Sequence, residues 1–165
     1  MKIQGNKRIY PSAITFREVQ ESDIPVLAKL SDKKDLPPAF WHDRILGYLR
    51  KEFNPHKALS KRVIFVAHLH DVPVGFIAGH ITLRSDYPGH IQWIVVSREH
   101  QRTGIGTELL HILVDWFTNQ NVFKVRADVN LEYIGARNFF IAHQAELQNN
   151  HWLCWEDIKA LLPEG

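Results

Sequence analysis

The chain has 165 residues and a formal charge of +2, with 45% hydrophobic and 23% charged residues. That size and composition suit one well-buried domain, residues 1–165, and exclude a mainly disordered chain. No apolar run approaches the roughly 18 residues of a membrane span, and no apolar stretch follows the basic start Met1 to Arg8, so neither a membrane protein nor a secretory leader is expected. A single cysteine, Cys154, excludes an internal disulfide and a cysteine-rich zinc site, and fits a reducing compartment, most simply the cytoplasm. The surplus of cations sits before Arg62, scattered among carboxylates, and reads as solvated surface more than as a nucleic-acid or ribosome-binding patch.

Residues 1–12 read as a flexible or edge segment. Ile14 to Val19 alternates apolar and polar residues as a half-buried strand does, and Glu21-Ser22-Asp23 offers caps for a short helix through Leu30, with Pro25 tolerated in its first turn. Asp35-Leu36-Pro37-Pro38 ends that element, and Ile45, Leu46, Leu49 and Phe53 recur at helical spacing from Phe40 to Phe53. Arg62 to Leu69 and Val74 to Leu83 are rich in Val, Ile and Phe and read as a hairpin turning at His70-Asp71-Val72-Pro73. A further strand runs from His90 to Val96. Ile105, Leu109, Ile112, Leu113 and Trp116 then mark the apolar face of a helix that leaves Glu108, His111 and Asp115 on the other side. A strand from Val122 to Asp128, a helix from Leu131 to His143 and a strand at Trp152 to Trp155 complete the order. The pattern predicts an α/β domain, a mixed sheet with helices on both faces.

The most informative segment is Gln101-Arg102-Thr103-Gly104-Ile105-Gly106-Thr107, between a strand and a helix. Glycines let backbone turn and approach a ligand closely, and the first turn of a helix presents unpaired N–H groups to an anion. Thr103 is placed to cap that helix, and Arg102 adds a cation at the lip. A dinucleotide fingerprint needs a third glycine where Leu109 stands, and a P-loop needs Gly-Lys-Ser/Thr, so both are disfavoured.

This loop, with Val96 five residues ahead of it and an amphipathic helix behind it, resembles the Q/R-x-x-G-x-G/A acyl-CoA loop of the GNAT family of N-acetyltransferases. The element order from Ile14 to Trp155 fits that family's fold, a mostly antiparallel central sheet. The resemblance implies that Gln101, Arg102, Thr103, Gly104, Ile105, Gly106 and Thr107 hold the CoA pyrophosphate and that the Val96 amide contacts pantetheine or the thioester carbonyl. A second motif, usually N-x-x-A-x-x-x-Y, falls on Tyr133 to Phe140 with Ala136 in place. Tyr133 stands where Asn is common, Asn130 lies one turn earlier, and Phe140 replaces the tyrosine that often protonates the departing thiolate. All three are assigned to the CoA site by resemblance. Because a thiol of pKa about 8.5 is a tolerable leaving group, the missing hydroxyl need not abolish transfer.

Direct attack requires a neutral amine and hence a base. Asp128 matches a position where some family members keep a catalytic Glu; the other reading of Asp128 is a cap for the following helix. His90 and Gln92 share a strand face with Ile94 and Val96 by alternation, and His80 lies on the neighbouring strand. Gln92 cannot take a proton but can orient a substrate or water. The resemblance also places Leu36, Phe40, Trp41, His42 and Tyr87 near the acceptor. His68 and His70 form an H-x-H pair without a third ligand nearby, so no metal is expected. Nothing electropositive adjoins Cys154 in the sequence to activate its thiol, and it reads as packing, with Trp152 and Trp155. The expected activity is transfer of acetyl from acetyl-CoA to an amine-bearing small molecule or peptide, by a monomer or homodimer. The rival readings are a non-catalytic acyl-CoA-binding module and a nucleic-acid-associated protein.

Overall fold

The structure, a computed structural model, describes residues 13–31, 36–50, 61–83, 85–129 and 133–163. The expectations for residues 1–12, for Asn130 and for a helix continuing to Phe53 fall outside these. Strand β1 (Ile14–Glu18) leads through a short turn of helix at Glu21–Asp23 into α1 (Ile24–Leu30) and then α2 (Pro38–Arg50). Pro38 opens α2 two residues before the predicted start, because a proline in the first turn removes an N–H that has no helical partner. Strands β2 (Arg62–Leu69), β3 (Val72–Ile81) and β4 (Gly89–Val96) precede α3 (Ile105–Asn119), β5 (Val125–Asp128), α4 (Ile134–Ala142), β6 (Glu146–Gln148) and β7 (Trp152–Trp155).

Among the described residues, seven strands form one sheet in the order β1-β2-β3-β4-β5-β7-β6. Of these strands β4 and β5 run parallel, and each other neighbouring pair among the described residues is antiparallel. Helices cover both faces, as the element pattern predicts. One face packs on α1 and α2 through Ile24, Leu27, Ile45, Tyr48, Ile64, Val66, Phe76 and Ala78. The other packs on α3 through Ile77, Ile91, Leu109, Leu110, Leu113, Val114 and Phe117. Each fully buried side chain of this size contributes about 1.5–3 kcal/mol relative to exposure.

The structure corrects several boundaries. The β2–β3 turn is His70-Asp71 alone, with φ of 48° and 64°, and Leu69 pairs directly with Val72. Two left-handed residues give the turn whose twist matches the strands, so Val72 and Pro73 belong to β3. Strand β5 begins at Val125, not Val122. Strand β6 is absent from the sequence reading. Helix α4 starts at Ile134 with Tyr133 as its N-cap, so Asp128 does not cap it. In α3 the buried side is Ile105, Glu108, Leu109, Leu110, Leu113, Val114 and Phe117, while Ile112 and Trp116 are only half-buried. This helix carries apolar residues around more than one stripe, and the sheet takes the stripe centred on Leu110 and Leu113.

His68 is 2% exposed. Its Nε2 lies 3.0 Å from Asp23 Oδ1 and 3.0 Å from an Arg17 terminal nitrogen. His70 is exposed in the turn, so the two histidines face different surroundings. Burial works against the Asp23 carboxylate, but hydrogen bonds from Arg17, the Gln20 amide and His68, with the Arg17 charge, hold it below its usual range. Among the described residues no helix is long and apolar enough to cross a membrane.

Candidate active site

Strands β4 and β5 pair only over Gly89↔Val125, His90↔Arg126 and Ile91↔Ala127. Beyond Ile91 they part, and the rest of β4 forms one arm of an open fork. On its other edge β4 follows β3 to Gly75↔Val96, and the Ser97 N–H donates to the Val74 carbonyl at 2.8 Å. That bond makes Gly75 and Val96 a non-hydrogen-bonded pair, so the Val96 N–H and C=O point away from β3 and into the fork. The Val96 carbonyl is held by Gln101 Nε2 at 3.0 Å, which folds the loop back on the strand end.

The loop is pinned by short local bonds. Ser97 Oγ lies 2.6 Å from His100 Nδ1. Thr103 Oγ1 donates to the His100 carbonyl, which corrects the expectation that Thr103 caps the helix. Gly104 takes that position with φ of 91°, and no side chain caps the helix. Arg102 is also left-handed, at φ 61°. The consequence is a first turn of α3 whose Ile105, Gly106 and Thr107 amides have no helical partner, at the positive end of the helix dipole. A Cβ on Gly106 would lie 3.2 Å from the Phe139 ring. The Thr107 hydroxyl sits 3.0 Å from His143 Nε2, whose Nδ1 contacts the Phe139 carbonyl at 2.7 Å. Phe140 is 2% exposed, packed edge-on against Trp155; its ring is turned into the core. Tyr133 is exposed at the start of α4.

A β-bulge lies between Ala78↔Trp93 and Gly79↔Ile91, leaving Gln92 of β4 without a register partner on β3. The extra residue shifts the phase of β4. Ile91, Ile94 and Val96 face α3, whereas Trp93 and Val95 face α1 and α2. The expected alternation of His90 and Gln92 with Ile94 and Val96 therefore fails. His90 stacks on His80 with ring centroids 5.1 Å apart, and Tyr48 Oη lies 2.9 Å from His80 Nδ1. Burial pushes the Tyr48 hydroxyl far above its ordinary value, so it stays protonated beside His80. Trp41, Trp93 and Tyr48 extend this aromatic row. Phe40 and Leu36 lie exposed at the start of the α2 region, and His42 contacts Asp43 at 3.6 Å.

Sequence reasoning missed Arg126. Its Nε donates to His90 Nε2 at 3.0 Å, and its guanidinium carbon lies 3.9 Å from the centroid of the Trp152 ring. Because arginine only donates, His90 Nε2 is an acceptor and the ring proton is on Nδ1. His90 is thus engaged, and His80, 4% exposed, is hydrogen-bonded to the Tyr48 hydroxyl. Asp128, by contrast, is exposed at the tip of β5, two residues beyond Arg126 and therefore on the same strand face. The signal for Arg126 was that same alternation.

Beside the fork lies a cleft of about 690 Å³ floored by Arg126, Trp152 and Cys154 and walled by Tyr87 and Gln148. Tyr87 donates a short hydrogen bond to Glu156, which Lys124 also pairs at 3.2 Å. The Glu156 bond holds the Tyr87 hydroxyl above its ordinary value, and the bonds from Tyr87 and Lys124 hold Glu156 below its own. Burial pushes the Cys154 thiol up, which disfavours a nucleophilic thiolate. Among the described residues no cluster of three metal-ligating side chains occurs.

The model of the acetyltransferase (GNAT) family matches residues 27–143, most of the chain. The chain belongs to the GNAT family of acetyltransferases. No curated protein sequence matches it. Among solved structures, the paiA N-acetyltransferase from Thermoplasma acidophilum in complex with coenzyme A shares 13% identity at a TM-score of 0.62, over 86% of this chain and 96% of that one. Ard1 from Thermoplasma volcanium shares 21% identity at 0.64, over 86% and 95%. A variant of the spermidine N-acetyltransferase SpeG from Vibrio cholerae shares 17% at 0.63, over 92% and 98%. At these identities the likeness establishes the GNAT fold, and the acetyl-CoA chemistry is that of the family in general.

Proposed function

We propose that this protein transfers an acetyl group from acetyl-CoA to a primary amine by direct attack in a ternary complex. The observation that carries this reading is the fork itself: a Val96 N–H turned away from β3 and aimed between parting strands, next to a helix start at Gly104 to Thr107 that carries no side-chain cap. The pyrophosphate is assigned to the loop amides with Arg102 at the rim, and the thioester to the fork, where a β4 N–H supports negative charge developing on its oxygen. The amine nitrogen bonds to the thioester carbon, the carbon–sulfur bond breaks, and CoA leaves as thiolate. Asp128 is the base we assign, directly or through one water, on its exposure at the tip of β5. Positioning of the two reactants supplies much of the rate.

A second reading, acyl-CoA binding without turnover, is favoured by Phe140, which carries no hydroxyl and is buried. Among the described cations before Arg62, Arg17 and Arg50 are ion-paired, which weighs against a nucleic-acid surface at those two positions. The test is CoA release from acetyl-CoA with a panel of amines, followed by thiol titration and mass analysis of the products. Acetylated product whose formation falls at least tenfold in Asp128→Asn supports the enzyme; acetyl-CoA binding with no product from any amine supports the module.

A further inference from the structure

The fork explains where the acetyl group goes, but not what the neighbouring cleft selects. Arg126 forms its floor, at the last pairs of β4 and β5 before the fork opens. Two contacts fix its guanidinium. The Nε is spent on His90, and the plane rests against Trp152 at 3.9 Å from the ring centroid. The two terminal nitrogens make no hydrogen bond or ion pair with any described residue. Behind Tyr87, outside the lining, the Glu156 carboxylate is already shared by Lys124 and Tyr87. Of the remaining lining residues, Leu83, Ser85, Gln148 and Asn149 are uncharged, and Asp86, an exposed residue, is the one carboxylate among the described lining residues.

A guanidinium whose Nε is occupied presents its end-on pair of N–H groups, a planar fork that matches the two oxygens of a carboxylate. Stacking and the His90 bond hold that fork in place, so little side-chain entropy is lost when it engages. Asp128 lies two residues away on the same strand face, suited to an ammonium group. We infer that the acceptor is an amine that also bears a carboxylate, an amino-acid-like or peptide-like molecule, and that Arg126 binds that carboxylate. The inference rests on the acetyltransferase reading and narrows its substrate class.

The experiment measures acetyl transfer to free amino acids and short peptides, each beside its own C-terminal amide or decarboxylated amine. Acetyl-CoA binding is followed separately by thermal shift. The expected result is a preference for the acid of about 10- to 100-fold in kcat/KM, the worth of one charge-assisted bidentate pair. Arg126→Gln is expected to abolish that difference by raising KM for the acid, with the acetyl-CoA shift retained, and Arg126→Lys to restore part of it. Equal or better transfer to amides and polyamines overturns the inference, and so does failure to turn over any acid by a protein that binds acetyl-CoA. An Arg126→Gln variant that lowers acids and amides alike also overturns it, since that is the signature of a structural role. No acetyl-CoA binding in the wild type is a different failure, that of the acetyltransferase reading itself.

Discussion

Gly104 is the residue on which the loop geometry turns, and replacing it by alanine isolates that geometry. At φ 91° an added Cβ meets the strain that L-residues suffer in the left-handed region, about 1–2 kcal/mol. For a chain of this length each kcal/mol moves the unfolding midpoint by about 2–4 °C, so Gly104→Ala is expected to unfold about 2–8 °C lower without ligand. If the strain is relieved by rotating φ, the first amides of α3 turn away from a bound anion. Losing one charge-assisted backbone bond weakens acetyl-CoA by about 10- to 100-fold. Gly104→Asn is the control, because asparagine tolerates positive φ, and it should retain most of both stability and affinity. Differential scanning calorimetry and isothermal titration read the two effects. Midpoint and affinity equal to wild type in Gly104→Ala would refute the reasoning, because the loop would not need its left-handed residue.

Stability should fall with acid through Asp23. Its carboxyl sits below its ordinary value when folded, so its contribution is full above about pH 4, the unfolded range, and is lost as pH falls through the folded value. Urea unfolding at pH 7 and pH 3 should show this loss, and Asp23→Asn should flatten it while costing about 2 kcal/mol at pH 7. That is less than for a fully buried pair because Arg17 is open to water. Leu113→Ala is expected to cost about 2–5 kcal/mol and Ile112→Ala clearly less, in the same denaturation assay, because only Leu113 is fully buried. Gly89→Ala places a Cβ 2.6 Å from Val125 Cγ2 at the β4–β5 junction. It should cost about 1–3 kcal/mol, and a change below about 0.5 kcal/mol would contradict the packing described.

Much of this fold was legible because period-2 and period-3.6 patterns survive in the sequence. The hairpin of β2 and β3, the α3 segment and the glycine loop are all written in local residues. What local pattern does not carry is phase. The bulge at Gln92 is set by pairing with β3, and it moves His90 to the face opposite Ile94. The register of α3 is chosen by the sheet among several apolar stripes, which buries Glu108 and leaves Ile112 at the flank. Strand β6 has only three residues, Glu-Leu-Gln, too few to alternate visibly, and exists because β7 offers it an edge. Arg126 shows the same limit at the site. Its sequence neighbours mark it as facing the side of Asp128, but its attachment to His90 and Trp152 comes from three strands meeting.

The most direct test of the central claim is thermal unfolding with acetyl-CoA in the wild type and in Gly106→Trp, whose side chain has no room beside Phe139. At about a hundredfold over Kd the ligand should add roughly 2.7 kcal/mol. That amounts to a midpoint shift of about 5–11 °C in the wild type, and no shift is expected in a folded Gly106→Trp. A wild type that does not move at saturating acetyl-CoA, or a variant that moves equally, would contradict the assignment of the Gly104 to Thr107 turn as the CoA site.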